Sequence, residues 1–268
     1  MATHLQLVIS LEVLEEWSIR FTVSVPHPHI EKRGVKYPIN HTTVPFIYKG
    51  ISAYLKGLLA GTSAPSLRKF DVTLFNKFIF VFPLMSKFIG ATVEFRFPVT
   101  KIHFNRDCFS ISISDNHEEE AQGNRSLHVR VSCKPFDRQV SSAAQVCHKL
   151  CRWVTAAVEK LAIDGYEHAE CRNEVDRRTW RELLSSFMNV KKLRVGRALA
   201  SDLSRALQPT EEQPGTGGVM SVMFFLQELV LEEGCDHNAF KALTDERQHL
   251  GCPVRVVTFS RTGPRNWG

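Results

Sequence analysis

The sequence predicts an α/β fold of stacked strand–helix units, and three observations predict it. The first is a unit with both ends marked, Glu174 to Val195. Trp180, Leu183, Leu184 and Phe187 stand at i, i+3, i+4 and i+7, the spacing that gathers apolar side chains on one helix face. Asp176 or Thr179 can cap that helix, Thr179 with Glu182 having the capping-box spacing, and Asn189 fits its end. Val190, Leu193 and Val195 follow, interleaved with Lys191, Lys192 and Arg194, as a half-exposed strand. The second observation is that this strand pattern, apolar-x-x-apolar-x-apolar, returns as LEEWSI from Leu14, LRKFDV from Leu67, VEKLAI from Val158, VKKLRV from Val190 and LQELVL from Leu226. The third is spacing: the last three begin roughly 32 to 36 residues apart, in the range where a fixed period implies stacking. A unit with one apolar face buries it only against a neighbour.

In chain order, LQLVISLEVLEEWSIRFTV alternates apolar and polar residues and predicts one or two strands. Pro26, Pro28, Gly34 and Pro38 punctuate a basic loop. Tyr54, Leu55, Leu58 and Leu59 make a helical face, with Gly61 near its end, and LRKFDVTLF supplies a strand. Pro83 opens a short helix whose buried side is Leu84, Met85, Phe88 and Ile89, and ATVEFRF returns to strand. Between Lys101 and Ser132 the rhythm changes: KIHF and FSISIS, joined through Asn105, Arg106 and Asp107, predict a hairpin, and LHVRVS a third strand. Asp115 to Arg125 reads as a polar loop. A helix is expected from about Gln139 to Trp153, with Val140, Ala143, Ala144, Cys147, Leu150, Cys151 and Val154 on one side, and it feeds VEKLAI. Leu199, Leu203, Ala206 and Leu207 form a further helix face, Pro209 to Gly218 a loop, and a helix around Phe240 and Leu243 precedes the closing strand VRVVTF. Residues 1–259 therefore make one elongated unit with a β-rich insertion at 101–132, and residues 260–268 are expected to be a disordered tail.

The strand pattern and period resemble an irregular leucine-rich-repeat solenoid. The ninth position of each strand unit, where that family carries Asn or Cys, holds Thr22, Phe75, Tyr166, Ala198 and Gly234, so the regular asparagine ladder is absent. Longer stretches carry a more specific likeness. NEVDRRTWRELLSSFMNVKKLRV, LASDLSRALQ, LQELVL and AFKALTDERQHLGCPVRVV resemble the C-terminal half of F-box-like proteins of mushroom-forming fungi. KGISAYLKGLLAGTSAPSLRKFDVTLFNKFIFVFPLMSKFI and DRQVSSAAQVCHKL resemble the preceding repeats of the same proteins. The likeness runs from about Leu5 to Phe259. It implies a leucine-rich-repeat region that recognises protein substrates for a cullin-type ubiquitin ligase, docking on a Skp-type adaptor only through an F-box upstream. No F-box is visible before the first strand, which keeps a second expectation open: a free-standing repeat scaffold or truncated gene product.

Composition sets the outer bounds. The chain has 268 residues, 43% hydrophobic and 23% charged, which places it among globular proteins. Net charge is +6 and the sequence pI about 9.0, favouring acidic partners. The basic residues are scattered and lack the aromatic interleaving of a base-stacking platform, which argues against nucleic acid. Seven cysteines without framework spacing point to reduced thiols and a cytoplasmic or nuclear location. The opening MATHLQLVISLEVLEEW has no basic n-region, and no stretch is apolar for long enough to suggest a membrane partner.

No pattern points to chemistry, a metal or a cofactor, so the expectation is a binding module and not an enzyme. Cys147 and Cys151 are one helical turn apart with His148 between them, but further ligands are missing and both fall on the apolar face, so they read as buried thiols. His117 with Glu118, Glu119 and Glu120 lacks the second histidine of a zinc helix. PGTGG lacks the Lys-Ser/Thr ending of a phosphate loop. His27 and His29 read as exposed loop residues. The candidate surface is instead the strand face lining the inside of a solenoid, where residues flanking the second apolar position point outward. Those are Glu16 and Ser18, Lys69 and Asp71, Lys160 and Ala162, Lys192 and Arg194, Glu228 and Val230. Lys69, Lys160, Lys192 and Arg194 are expected to form a basic ladder with acidic ends, suited to an acidic protein segment.

Overall fold

In a computed structural model the chain is described over residues 97–115, 126–150, 152–165, 175–208 and 223–260, with strand backbone also described at 5–12, 16–23 and 69–75. The fold is α/β, centred on one mixed sheet. Its strands are β1 (Leu5–Glu12), β2 (Glu16–Val23), β3 (Lys69–Phe75), β4 (Val99–Phe104), β5 (Cys108–Ser114), β6 (Ser126–Ser132), β7 (Lys160–Gly165), β8 (Lys192–Val195), β9 (Glu228–Glu232) and β10 (Arg255–Phe259). Their order is β1-β2-β3-β6-β5-β4-β7-β8-β9-β10. The helices are α1 (Phe136–Lys149), α2 (Arg152–Ala156), α3 (Arg177–Ser185), α4 (Ala200–Leu207) and α5 (Lys241–His249), with 3-10 turns at Arg197–Leu199 and His237–Phe240.

Strands β7 to β10 run parallel in sequence order, and β4 continues that parallel set. The register is pinned where the strands begin. The Pro98 carbonyl accepts from Glu159 N and Lys160 N at 2.9 and 2.8 Å, and the Glu159 carbonyl from Lys191 N and Lys192 N at 2.8 and 3.0 Å. The Lys191 carbonyl takes Gln227 N and Glu228 N at 2.8 and 2.9 Å, and the Gln227 carbonyl takes Arg255 N at 2.8 Å. A slip of one residue would turn every apolar side chain of a strand to the wrong face.

The segment 101–132 does not stand apart from the sheet. β4, β5 and β6 form an antiparallel meander that lies between β3 and β7, with β6 parallel to β3 and β4 parallel to β7. β5 alone runs against its neighbours in the middle of the sheet. LQLVISLE and EWSIRFTV likewise pair as an antiparallel hairpin at the far side.

Alternation along the strands sorts their residues onto two faces. Ile102, Phe104, Phe109, Ile111, Ile113, Leu127, Val129, Val131, Leu161, Ile163, Leu193, Val195, Leu229 and Leu231 are buried in one core with the apolar sides of the helices. Trp180 of α3 is fully buried there, edge-on to Phe104 at 5.8 Å and 6.2 Å from Phe136. The aromatic cluster thus joins α3, α1 and the hairpin, and burying such a side chain contributes on the order of 2–3 kcal/mol.

Local sequence explains the helix ends. Asp176 caps α3: Oδ1 accepts from Thr179 N and Oδ2 from Thr179 Oγ1, each at 2.8 Å. The Thr179–Glu182 capping box does not form: the cap is Asp176, Thr179 is already the third helical residue, and Glu182 pairs with Arg178 at 3.2 Å. Helix α3 ends at Ser185, four residues short of Asn189, whose Nδ2 reaches back to the Ala156 carbonyl at 2.8 Å. The helix expected to run to Trp153 stops at Lys149. Leu150 takes an extended ψ of 139° and its side chain drops into the core, and α2 restarts beyond it. The expected helices at 54–59 and 84–89, the ATVEFR strand, the loops at 26–38, 116–125 and 209–218, and the tail from 261 lie outside the described residues.

Candidate interaction surface

Among the residues whose side chains are described, the sheet face opposite the core carries the polar, half-exposed ones, and the backbone register aligns strand positions into rows that cross the sheet. One row runs Glu16, Lys69, Ser126, Ser114, Val99, Lys160, Lys192, Glu228 and Arg255. The next runs Ser18, Asp71, His128, Ser112, Lys101, Ala162, Arg194, Val230 and Val257. The expected pairs therefore share two rows: Lys69, Lys160, Lys192 and Glu228 in the first, Asp71 and Arg194 in the second.

Sharing a row is not the same as being adjacent. Lys160 and Lys192 are direct neighbours on β7 and β8, and Glu228 follows on β9. Lys69 lies on β3, separated from β7 by the three strands of the meander, about 19 Å away at the usual strand spacing. Among the described side chains of these two rows, the charges are consequently concentrated at β7 to β10.

There the charges interlock. Lys192 Nζ stands 3.0 Å from Glu228 Oε1, both side chains largely buried at 20% and 17% exposure, and Arg255 of β10 bonds the other carboxylate oxygen from a side chain 73% exposed. Arg255 and Lys192 hold the Glu228 carboxyl below its ordinary range, the Arg255 hydrogen bond being the largest influence and burial opposing it. Arg194 lies with its guanidinium 3.7 Å from the centre of the Phe259 ring. Such stacking contributes about 0.5–1 kcal/mol and orients the guanidinium edge. The result is a mixed strip in which Lys192 and Arg255 share the Glu228 carboxylate, with Lys160 next in the same row and Arg194 stacked on Phe259 in the row beside it.

Sequence reading missed Arg255 and Phe259 because VRVVTF does not carry the strand pattern in the same phase; only pairing with β9 brings them beside Glu228 and Arg194. It also missed a polar pair in the meander, where Ser112 Oγ and His128 Nδ1 are 2.7 Å apart. Lys101 and Asp71 flank that pair in the same row. Alternation alone could have placed these residues on one face, but strand order was needed to make them neighbours.

Four of the five described cysteines are interior groups. Cys108, Cys133, Cys147 and Cys235 are buried and unpaired, and Cys252 is exposed. Burial raises the Cys147 thiol far above its ordinary value, which disfavours the nucleophilic thiolate. His148 is exposed on the other side of α1, and Cys151 lies outside the described residues. Among the described residues no group of three His, Cys, Asp or Glu is placed to hold a metal, and no helix is long and apolar enough to cross a membrane.

No family model, curated protein or solved structure matches this chain.

Proposed function

We propose that the chain is a protein-interaction module of leucine-rich-repeat type, the substrate-recognition region of an F-box-like receptor of a cullin-type ubiquitin ligase. The observation that carries this reading is the polar sheet face, where consecutive parallel strands set Lys160, Lys192, Glu228 and Arg255 in one row with Arg194 in the next, and Lys192 and Arg255 share the Glu228 carboxylate. A surface of this kind suits an acidic protein segment. Its excess positive charge steers encounter and orientation, while Glu228 keeps the cations extended and spaced. Sequential strand–helix units, with described helices packed on one side of the strands, are the arrangement expected of a repeat solenoid. The resemblance of residues 5–259 to the fungal F-box-like proteins supplies the ligase connection.

The test is capture from fungal lysate with the chain as given, with a K192E/R194E variant, and with a form extended by the genomic sequence upstream of Met1. Recovery of the Skp-type adaptor by the extended form, together with a ubiquitylated protein lost in the double variant, is the expected outcome. Absence of the adaptor from the extended form removes the ligase reading in favour of a free-standing repeat scaffold. Capture unaffected by the double variant moves the binding surface elsewhere.

A further inference from the structure

Strand β10 closes one side of the sheet, and its outer edge is unpaired among the described residues. The hydrogen bonds at its two ends show which of its residues face outward. Arg255 N donates inward to Gln227 at 2.8 Å, and the Phe259 carbonyl accepts inward from Glu233 N at 2.7 Å. In a parallel pair alternate residues turn both backbone groups to the same neighbour. Arg255, Val257 and Phe259 therefore serve β9, while the N–H and C=O of Val256 and Thr258 point away from the sheet.

Proteins ordinarily blunt such an edge with lysine, proline or a bulge. Between Arg255 and Phe259 there is no proline, and the one charge, Arg255, is engaged by Glu228 on the inner side. Val256 remains 36% exposed, and Leu250, at the end of α5 just before the strand, 56% exposed. Among the described residues the edge is thus apolar, regular and open.

We infer that β10 is a self-association edge, pairing antiparallel with β10 of a second copy about a two-fold axis at Val257. This register is the one in which the outward groups meet. Val256 would exchange backbone hydrogen bonds with the second copy's Thr258, and the two-fold axis repeats the exchange. The side chains are self-complementary in the same register. Each Arg255 lies across from the second copy's Phe259 and never from another Arg255, and Val257 faces Val257. A foreign strand could use the same backbone groups, but this freedom from like-charge opposition is a property of the strand toward itself. The pairing continues the polar face of one copy into that of the other and places two Glu228-centred charge clusters side by side. It does not depend on any ligase role.

Sedimentation equilibrium of the full chain, run from micromolar to hundreds of micromolar, tests the inference. The expected result is a reversible monomer–dimer equilibrium. V256P and T258P each remove an outward N–H without touching the bonds to β9, and should weaken the dimer roughly tenfold or more while the folded circular-dichroism signal stays. V256K keeps the N–H and adds an edge charge, so it decides the matter if the proline variants do not fold, with the same weakening expected. A chain that stays monomeric across the range overturns the inference. So does a dimer that V256K and the folded proline variants leave unchanged.

Discussion

Gly196 has a φ of −71°, open to any residue, so its missing side chain matters for space and not for conformation. A β-carbon there would stand 2.2 Å from Asp164 Oδ1, the oxygen that accepts from Gly165 N at 2.9 Å. We predict that G196A costs about 1–3 kcal/mol in urea unfolding by forcing the carboxylate out of place, and that D164A added to G196A recovers part of it. Additive losses would show that the clash is taken up elsewhere. Gln139 is a second such residue, 1% exposed, its Nε2 donating to the Cys133 and Asn105 carbonyls at 2.7 and 2.9 Å. One amide thereby fixes both the β4–β5 turn and the start of α1. Q139L should destabilise by about 2–3 kcal/mol, since it strips the donor from two inner carbonyls; a loss under 0.5 kcal/mol, on the order of a surface change, would show that water replaces it. Neither role is legible in sequence, where Gln139 is one more polar residue on a helix and Gly196 one more turn glycine. Lys192 and Glu228 illustrate the same limit. Their charges and their face follow from alternation, but their 3.0 Å contact follows from the register of β8 on β9, which no local pattern encodes.

Helix α3 was the element written most fully into the sequence, because its apolar spacing, its cap and the following strand agree. The cap also carries a pH dependence. Hydrogen bonds from Thr179 hold the Asp176 carboxyl below its ordinary value, and Arg255 and Lys192 do the same for Glu228. A carboxyl with a lowered folded pKa binds fewer protons folded than unfolded. Its contribution is complete above the unfolded values, about 3.9 for Asp and 4.3 for Glu, and is lost as pH falls through the folded ones. Melting temperature should therefore be flat from about pH 7 to 5 with respect to these groups and fall below that. D176A should lower stability by about 1 kcal/mol at pH 7 and by progressively less as pH falls below the ordinary carboxylate range and the native carboxyl takes up its proton. An equal loss across that range would mean that the charge plays no part. The end of α1 was less legible: 139–153 keeps helical spacing throughout, yet Leu150 is buried by leaving the helix, a tertiary demand that outweighs local periodicity. The meander strands were legible as strands, whereas their position between β3 and β7 was not, since alternation names a strand's faces and never its neighbours.

At the scale of the whole molecule, the net charge of +6 gives any acidic ligand a long-range attraction that salt screens. Binding through the β7–β10 strip should weaken between 50 and 500 mM NaCl mainly through a slower association rate, and K192E/R194E should flatten that dependence. Salt-independent association would point to an uncharged surface. The placement of β5 bears on how the molecule is assembled in time. Parallel neighbours such as β7 and β8 are joined through a helix and meet only after a long loop has closed, whereas β4 and β5 are joined through Asn105 to Asp107 and can zip from their turn. Because loop closure must precede the reward of non-local contacts, the meander is the part of the sheet able to form earliest, offering β4 as the edge on which β7, and then β8 to β10, are laid down. I111V, in the middle of β5, should slow refolding in proportion to its loss of stability, while V195A in β8 should mainly speed unfolding. A single reversed strand would then set the order in which all the forward ones are added.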